Sequence, residues 1–204
     1  MRTYVYVDAF NLYYGALANT GYKWLDLGKF CDGLLPSNDV LRIKYFTARI
    51  KPSVADPGQP TRQQTYLKAL KTLPRVEIHF GHFLVEQSNL RTVAPPHNRV
   101  LVEKENEKGS DVNLATHLIC DAYENLYDVG VVVTGDSDQL LPIKMIRTKI
   151  GKAVGVINPQ SRASVELQGA ASFYRTIRPN FLGRCQFPPT IPTATGHIFK
   201  PSSW

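Results

Sequence analysis

Residues 129–138 of this 204-residue chain, VGVVVTGDSD, decide the fold, because a short apolar run is followed at once by a polar turn with two carboxylates. A continuous apolar run of this length is typical of a central parallel strand that is covered on both faces. We therefore predict a strand at 129–133 and a turn that presents Asp136 and Asp138. Residues 3–7 form a second apolar, β-branched run, which ends at Asp8.

The rest of the chain alternates predicted strands and helices. Further strands are predicted at residues 41–50, 76–80, 153–157 and 173–177. Two shorter strands at 83–86 and 99–103 form a ribbon around the Pro95-Pro96 loop. Helices are predicted at 11–18, 26–35, 61–73 and 139–150, and an amphipathic helix starts at Ser110. Ser110 is the predicted N-cap of that helix, and Gly151 ends the helix at 139–150. This alternation predicts a three-layer α/β/α sandwich with a mainly parallel central sheet.

Length and composition favour one domain, at 1–178, followed by a proline-rich C-terminal tail at 179–204 that is disordered or draped over the domain. A formal net charge of +7 favours a polyanionic partner. The three cysteines are widely spaced and indicate reduced thiols in a cytoplasmic protein. The chain shows neither a leader pattern nor an apolar stretch of membrane-spanning length, so no membrane partner is expected.

Four carboxylates follow predicted strand ends or open a predicted helix: Asp8, Asp111, Asp136 and Asp138. In an open α/β sheet the carboxyl ends of the strands form the ligand-binding edge. Two carboxylates about 4 Å apart repel by roughly 4 kcal/mol at an effective dielectric near 20, so a cluster of them requires protonation or a cation. Oxygen ligands favour Mg²⁺ or Mn²⁺, and such a site suits phosphodiester hydrolysis.

Each position also has a simpler interpretation. Asp111 and Asp138 are equally well placed to cap helices, and Asn11 either supports Asp8 or caps the helix that follows it. Asp8 is harder to explain in this way, because an acid that ends a buried strand loses hydration unless it has a partner. Five cations are candidate contacts to an RNA backbone: Lys104, Lys108, Arg49, Lys51 and Arg62.

Three stretches together resemble the NYN-domain branch of the PIN-like nuclease superfamily: DAFNLYYGAL from residue 8, the segment 107–146 that contains KGSDV and TGDSD, and KAVGVINP from residue 152. The resemblance implies a Rossmann-like sandwich with strand order 3-2-1-4-5 and a ribonuclease site that uses Mg²⁺ or Mn²⁺. It also implies that Asp8, Asp111 and Asp136 bind the metal, that Asp138 is a fourth acid acting directly or through water, and that Asn11 supports Asp8.

The sequence therefore predicts a metal-dependent ribonuclease that hydrolyses RNA internally. Two alternatives stay open at this point: an RNA-binding or regulatory module that does not cleave, and a small-molecule phosphohydrolase or other enzyme on the same fold. The sequence leaves open the RNA target, the choice between RNA and DNA, homo-oligomer formation and any protein partner.

Overall fold

The computed structural model describes residues 1–204 apart from the side chain of Glu105. The strands are β1 (Arg2–Asp8), β2 (Asp39–Thr47), β3 (Val76–Phe80), β4 (His82–Arg91), β5 (Arg99–Lys108), β6 (Val129–Val133), β7 (Ala153–Asn158), β8 (Phe173–Thr176), β9 (Thr190–Thr193) and β10 (Gly196–Phe199). The helices are α1 (Ala9–Leu12), α2 (Leu27–Leu34), α3 (Gln59–Leu70), α4 (Ser110–Tyr123), α5 (Leu140–Met145), α6 (Val165–Ala170) and α7 (Pro179–Arg184). Short π-helical turns, Tyr13–Leu17 and Ile146–Ile150, continue α1 and α5.

The central sheet has six parallel strands in the order β3-β2-β1-β6-β7-β8. This corrects the predicted order 3-2-1-4-5, which placed five strands, because β8 adds a sixth at the edge beside β7. Gly155 explains how β8 can pair there: a Cβ atom at Gly155 would lie 2.1 Å from the ring of its register partner, Phe173. The missing side chain leaves room for that ring to lie against the backbone of β7.

Helices cover both faces of the sheet, which confirms the predicted three-layer arrangement. On one face, α2 and α3 bury Phe30, Tyr66 and Leu70 against the sheet. On the other face, α4 and α5 bury Leu118 and Ile143. None of the helices in the described chain is long and apolar enough to cross a membrane.

Two segments lie outside the sheet, the ribbon β4-β5 and the C-terminal residues 179–204. The ribbon β4-β5 is antiparallel and longer than predicted, with pairing from His82–Lys108 to Arg91–Arg99. Residues 179–204 are draped over the domain and ordered, with α7 and the hairpin β9-β10. The ring of Trp204 lies 6.2 Å from that of Trp24, measured between centroids.

The start of α4 also needs a correction. The helix begins at Ser110, so Ser110 is not its N-cap; the capping position is Gly109, whose φ of 95° suits glycine. Glu107 takes over the capping role, because its Oε1 accepts a hydrogen bond from the Ser110 backbone N–H at 3.1 Å. In the described part of the chain, Ser110 Oγ is buried without a hydrogen-bond partner. The predicted stop at Gly151 is confirmed, with φ 77°.

A buried ion pair fixes α4, the helix that carries Asp111, to the sheet. Asp121 on α4 accepts a hydrogen bond from the Lys44 Nζ on β2 at 2.6 Å and another from the Tyr6 hydroxyl on β1 at 2.6 Å. The side chains of Lys44 and Asp121 are 9% and 7% exposed. His117 Nδ1 lies 3.3 Å from the same Lys44 Nζ. Because both charges are removed from water, each depends on the other.

Asp121→Asn should therefore be strongly destabilising. The amide keeps an acceptor for Tyr6 but leaves the Lys44 charge without a counter-ion, and we expect the free energy of unfolding to fall by about 3–5 kcal/mol. Adding Lys44→Met should recover part of that loss, because the uncompensated charge is then gone. Urea denaturation of the two variants and the parent measures both effects.

Asp128→Asn is the matched control, because the Arg2–Asp128 pair is 45% and 42% exposed. Its loss should cost much less than that of Asp121→Asn, because solvent screens an exposed ion pair. A cost for Asp121→Asn as small as that of the control would show that the buried pair does not hold α4 in place.

Candidate active site

Asp8 ends the central strand β1 and is only 6% exposed. Its Oδ1 accepts a hydrogen bond from the Asn11 backbone N–H at 3.0 Å, and its Oδ2 accepts one from the Thr134 hydroxyl at 3.1 Å. Burial raises the pKa of Asp8, these hydrogen bonds oppose the rise, and the charge of Asp136 adds to it. The carboxylate is thus held in a fixed orientation beside Asp136.

Asp136 follows β6, the parallel neighbour of β1, so it reaches the same edge of the sheet. Its backbone N–H donates to Thr134 Oγ1 at 3.1 Å, and its Oδ1 accepts from the backbone N–H of Asp138 at 2.9 Å. Thr134 therefore contacts both strand-end acids and sets their spacing. Asp138 is exposed at the start of the short turn that leads into α5.

Asp111 approaches this edge from the first turn of α4 and is partly buried. Its pKa is raised from 3.8 to about 6, first by burial and then by the negative charges of Asp8, Asp136, Glu107 and Asp138. The structure therefore brings the other three predicted acids within electrostatic reach of Asp111.

Asn11 links the acidic edge to the neighbouring loop. Its Oδ1 accepts hydrogen bonds from the Gly135 backbone N–H and from Gln160 Nε2, each at 3.0 Å, and its side chain also bonds Asp8. A Cβ atom at Gly135 would lie 2.5 Å from the Gln160 side chain and 2.6 Å from Asn158 Oδ1. Glycine is therefore required for the loops after β6 and β7 to meet here.

The structure gives the capping role to other acids than the sequence predicted. Asp8 and Asp136 are the residues that cap helical turns, because each accepts a backbone N–H bond. The carboxylates of Asp111 and Asp138 accept no hydrogen bond from the described residues. Capping therefore does not explain Asp111 or Asp138. Asn11 accepts its bonds from other loops and supports Asp8.

An all-oxygen site of this kind suits a hard divalent cation in electrostatic terms, because positive charge would relieve the repulsion that raises the pKa of Asp111. Among the described residues, no group of three or more His, Cys, Asp or Glu side chains is arranged to hold a metal ion directly. Mg²⁺ is typically held in proteins by one or two carboxylates, with water as the other ligands, and a site of that kind at this edge stays a prediction.

Sequence reasoning missed three polar residues at this edge. Asn158 ends β7 and Gln160 lies just after it, so the rule that ligands gather at strand ends would have found them. Asn158 Oδ1 accepts the Gln160 backbone N–H at 2.8 Å and so shapes the loop. Glu107 belongs to the ribbon, and its nearness to Asp111 depends on how β5 meets α4, which no local pattern reveals.

The five predicted cations do not form one group. Lys108 is exposed directly before α4, close in sequence to Asp111, whereas Lys104 lies further along the ribbon, opposite Glu86. The other three cations lie near α3 and the loop after β2. Arg49 stacks over Phe80 with 5.2 Å to the ring centroid, Arg62 pairs with Asp56, and Lys51 is exposed. Their contact with RNA stays a prediction.

A cavity of about 70 Å³ lies beside the acidic edge, next to the turn that follows Asp8. Six of the residues that line it are aromatic: Phe10, Tyr13, Tyr14, Tyr45, Tyr66 and Trp204. Lys23 and Arg62 add positive charge to the same lining. Burial raises the pKa of Tyr45, and the charge of Asp8 raises it further, which places this phenol close to the acids.

The fold and the edge together define an α/β protein of the Rossmann-like class with a carboxylate cluster at the ends of its parallel strands. The chain belongs to the NYN domain family, whose model matches residues 2–178.

Two known proteins are similar to this chain. The 6-hydroxy-3-succinoylpyridine 3-monooxygenase of Pseudomonas putida is 35% identical over 236 aligned positions, which cover 100% of this chain and 75% of the relative. A crystal structure of a protein of unknown function from Vibrio parahaemolyticus matches this chain with a TM-score of 0.55 and 20% sequence identity. The match covers 88% of this chain and 94% of the Vibrio chain. At that identity, the second likeness supports the fold alone.

The raised pKa of Asp111 predicts how stability depends on pH. In the unfolded chain Asp111 ionises near pH 3.8 and in the folded chain near pH 6, so its ionisation opposes folding and stability falls between these values. Asp111→Asn should therefore flatten this fall and raise the Tm by a few degrees at pH 7.5, but not at pH 4. Thermal unfolding in a chelating buffer measures the difference.

Asp128→Asn serves again as the control, with the opposite sign. The Arg2 guanidinium lowers the pKa of Asp128, so ionised Asp128 stabilises the fold and its replacement should lower the Tm at pH 7.5. If Asp111→Asn also lowers the Tm at pH 7.5, the acids at this edge do not repel one another in the way the structure indicates.

Proposed function

We propose that the protein is a divalent-metal-dependent ribonuclease that hydrolyses phosphodiester bonds within RNA. The observation that supports this most is the convergence of Asp8, at the end of β1, Asp136, just after β6, and Asp111, in the first turn of α4, on one edge of the sheet. Membership of the NYN domain family supports a nuclease-type fold, and the net charge of +7 suits a polyanionic substrate.

The residues at the edge have distinct roles in this proposal. Asp111 and Asp136 would hold Mg²⁺ or Mn²⁺, with Asp138 acting through water. Asp8 lies deeper and would orient a ligand water, because Thr134 and the start of α1 fix both of its oxygens. When bound, the ion would supply an activated water and stabilise the charge that develops on the phosphoryl and leaving oxygens.

The surroundings of the acids would position the RNA. Lys108, exposed at the base of the ribbon, is placed to meet a backbone phosphate beside Asp111. Asn11 keeps the loops after β6 and β7 together, so that the acids keep their relative positions while the substrate binds.

Asp136→Asn should abolish this activity. Loss of even a supporting partner of a metal site typically costs about 10–100-fold, so loss of a ligand should lower metal-stimulated RNA cleavage by at least about 100-fold. The measurement uses labelled structured RNA with Mn²⁺, Mg²⁺ or chelator and maps the ends of the products. Chelator should stop the parent in the same way.

Asp39→Asn is a matched control, because Asp39 is exposed at the amino end of β2, the opposite edge of the sheet. It should cleave like the parent. If the parent binds RNA tightly and yields no metal-stimulated product, the protein is instead a binding module. Unchanged cleavage by Asp136→Asn would show that the catalytic site is assigned to the wrong residues.

A second candidate function is oxidation of a small heteroaromatic ring. The relative from Pseudomonas putida, which this chain matches along its whole length, is named as a monooxygenase of 6-hydroxy-3-succinoylpyridine. The aromatic cavity also favours this candidate, since Lys23 and Arg62 could meet the carboxylate of such a substrate.

Substrate loss distinguishes this candidate from the nuclease. The protein is incubated with 6-hydroxy-3-succinoylpyridine, dioxygen and a reduced nicotinamide as electron donor, and the pyridine is followed by chromatography. A monooxygenase places one oxygen atom of dioxygen in the product and reduces the other to water with two electrons. The nuclease proposal predicts no consumption above a protein-free control, and stoichiometric consumption of the three reactants would favour the second candidate.

A further inference from the structure

We propose that the aromatic cavity binds one unpaired nucleobase of the RNA, next to the phosphate that lies over the acidic edge. This inference rests on the proposed nuclease function and adds to it a site for the substrate. The cavity is lined by residues of α1, the π-helical turn after it, β2, α3 and the C-terminal segment.

Size favours one planar base as the occupant. A buried water needs roughly 10–15 Å³, so the cavity of about 70 Å³ has room for about five waters, which is similar to one planar ring. Neither a base pair nor a stacked pair of bases fits that volume. The site is therefore suited to a base that is neither paired nor stacked on another base.

The walls provide stacking surfaces and one polar partner. The centroid of Tyr66 lies 5.9 Å from that of Trp204 and 6.3 Å from that of Tyr45, so these rings form a continuous aromatic wall. The Tyr45 side chain is 8% exposed, and its hydroxyl has no hydrogen-bond partner among the described residues. That hydroxyl is available to a polar atom on the edge of a base.

The aromatic lining reaches the protein surface and meets the ribbon, which favours a polymer over a free small molecule. Phe10 stacks on Tyr14 with 6.5 Å between centroids, and Tyr14 is 64% exposed. Phe10 also meets Phe83 of the ribbon edge-on at 6.0 Å. An exposed ring beside a one-ring cavity gives a second stacking surface for the next base along a strand.

The cavity adjoins the acidic edge through the turn that follows Asp8. Ala9 and Phe10, which line it, directly follow Asp8. Tyr45 responds to the charge of Asp8. Arg62 and Lys23 lie in the same lining, so a phosphate attached to the bound nucleoside would meet a cation.

Tryptophan fluorescence tests the proposal without catalysis. Nucleoside 5′-monophosphates are titrated into the full chain in chelator, where cleavage does not occur, and quenching is expected because Trp204 lies in the cavity wall. Ribose 5-phosphate, which has no base, should give no quenching. Trp204→Phe should lose the signal, although buried Trp24 remains.

Tyr14→Ala tests the second stacking surface with a short single-stranded RNA, again in chelator. Removal of one stacking ring should weaken binding by about 5- to 150-fold. Tyr123→Ala is the matched control, because Tyr123 is 82% exposed at the far end of α4 and should bind like the parent.

The outcomes separate this inference from the nuclease proposal. If nucleotides quench but no RNA is cleaved with any metal, the base site stands and the nuclease proposal fails. If RNA is cleaved but nucleotides do not quench, or Tyr14→Ala binds RNA like the parent, the base site is wrong. Tighter binding of 6-hydroxy-3-succinoylpyridine than of every nucleotide also overturns it and assigns the cavity to a small heteroaromatic acid.

Discussion

Burial of the central strand is the constraint on which the site depends. β1 lies between β2 and β6, Tyr6 and Val7 are inaccessible to solvent, and the strand ends in a carboxylate that is 6% exposed. A carboxylate in that position loses hydration, and the chain compensates with the Thr134 hydroxyl and a backbone N–H of α1. These bonds orient Asp8 without cancelling its charge, so the edge stays strongly negative. The fold therefore holds negatively charged carboxylates close together at an edge where a positively charged ligand can reduce their repulsion.

Much of the fold could be predicted because local pattern and burial agree along the central strands. Val129–Val133 and Val76–Phe80 have the predicted bounds, since apolar runs between turn residues leave little freedom. The sixth strand of the sheet and the length of the ribbon depend on pairing between distant segments. β8 joins the sheet because Gly155 makes room for a ring, and the ribbon extends through polar residues whose partners lie on the other strand. Single-sequence periodicity does not contain that information.

The acids could be predicted, but their partners could not. Strand ends and helix starts identified Asp8, Asp111 and Asp136, because topology alone sends them to one edge. Which acid caps a helix depends on the turn geometry: Asp8 and Asp136 accept backbone N–H bonds, and Asp111 does not. The start of α4 shows the same limitation, since Ser110 lies inside the helix and its own backbone N–H is capped by Glu107. Capping roles are decided by a few torsion angles that the residue types leave open.

The acidic edge and the aromatic cavity share the turn that joins β1 to α1. Asp8 belongs to the edge, and Ala9 and Phe10 belong to the lining of the cavity, so one rigid turn sets the distance between charge and ring. Phosphodiester hydrolysis and ring oxidation make different demands on this arrangement. Hydrolysis depends on the clustered acids, with the ring only positioning the substrate, whereas ring oxidation depends on the cavity, whose lining includes none of the four acids. The convergence of the acids on one edge of the sheet is therefore the stronger argument for phosphoryl chemistry.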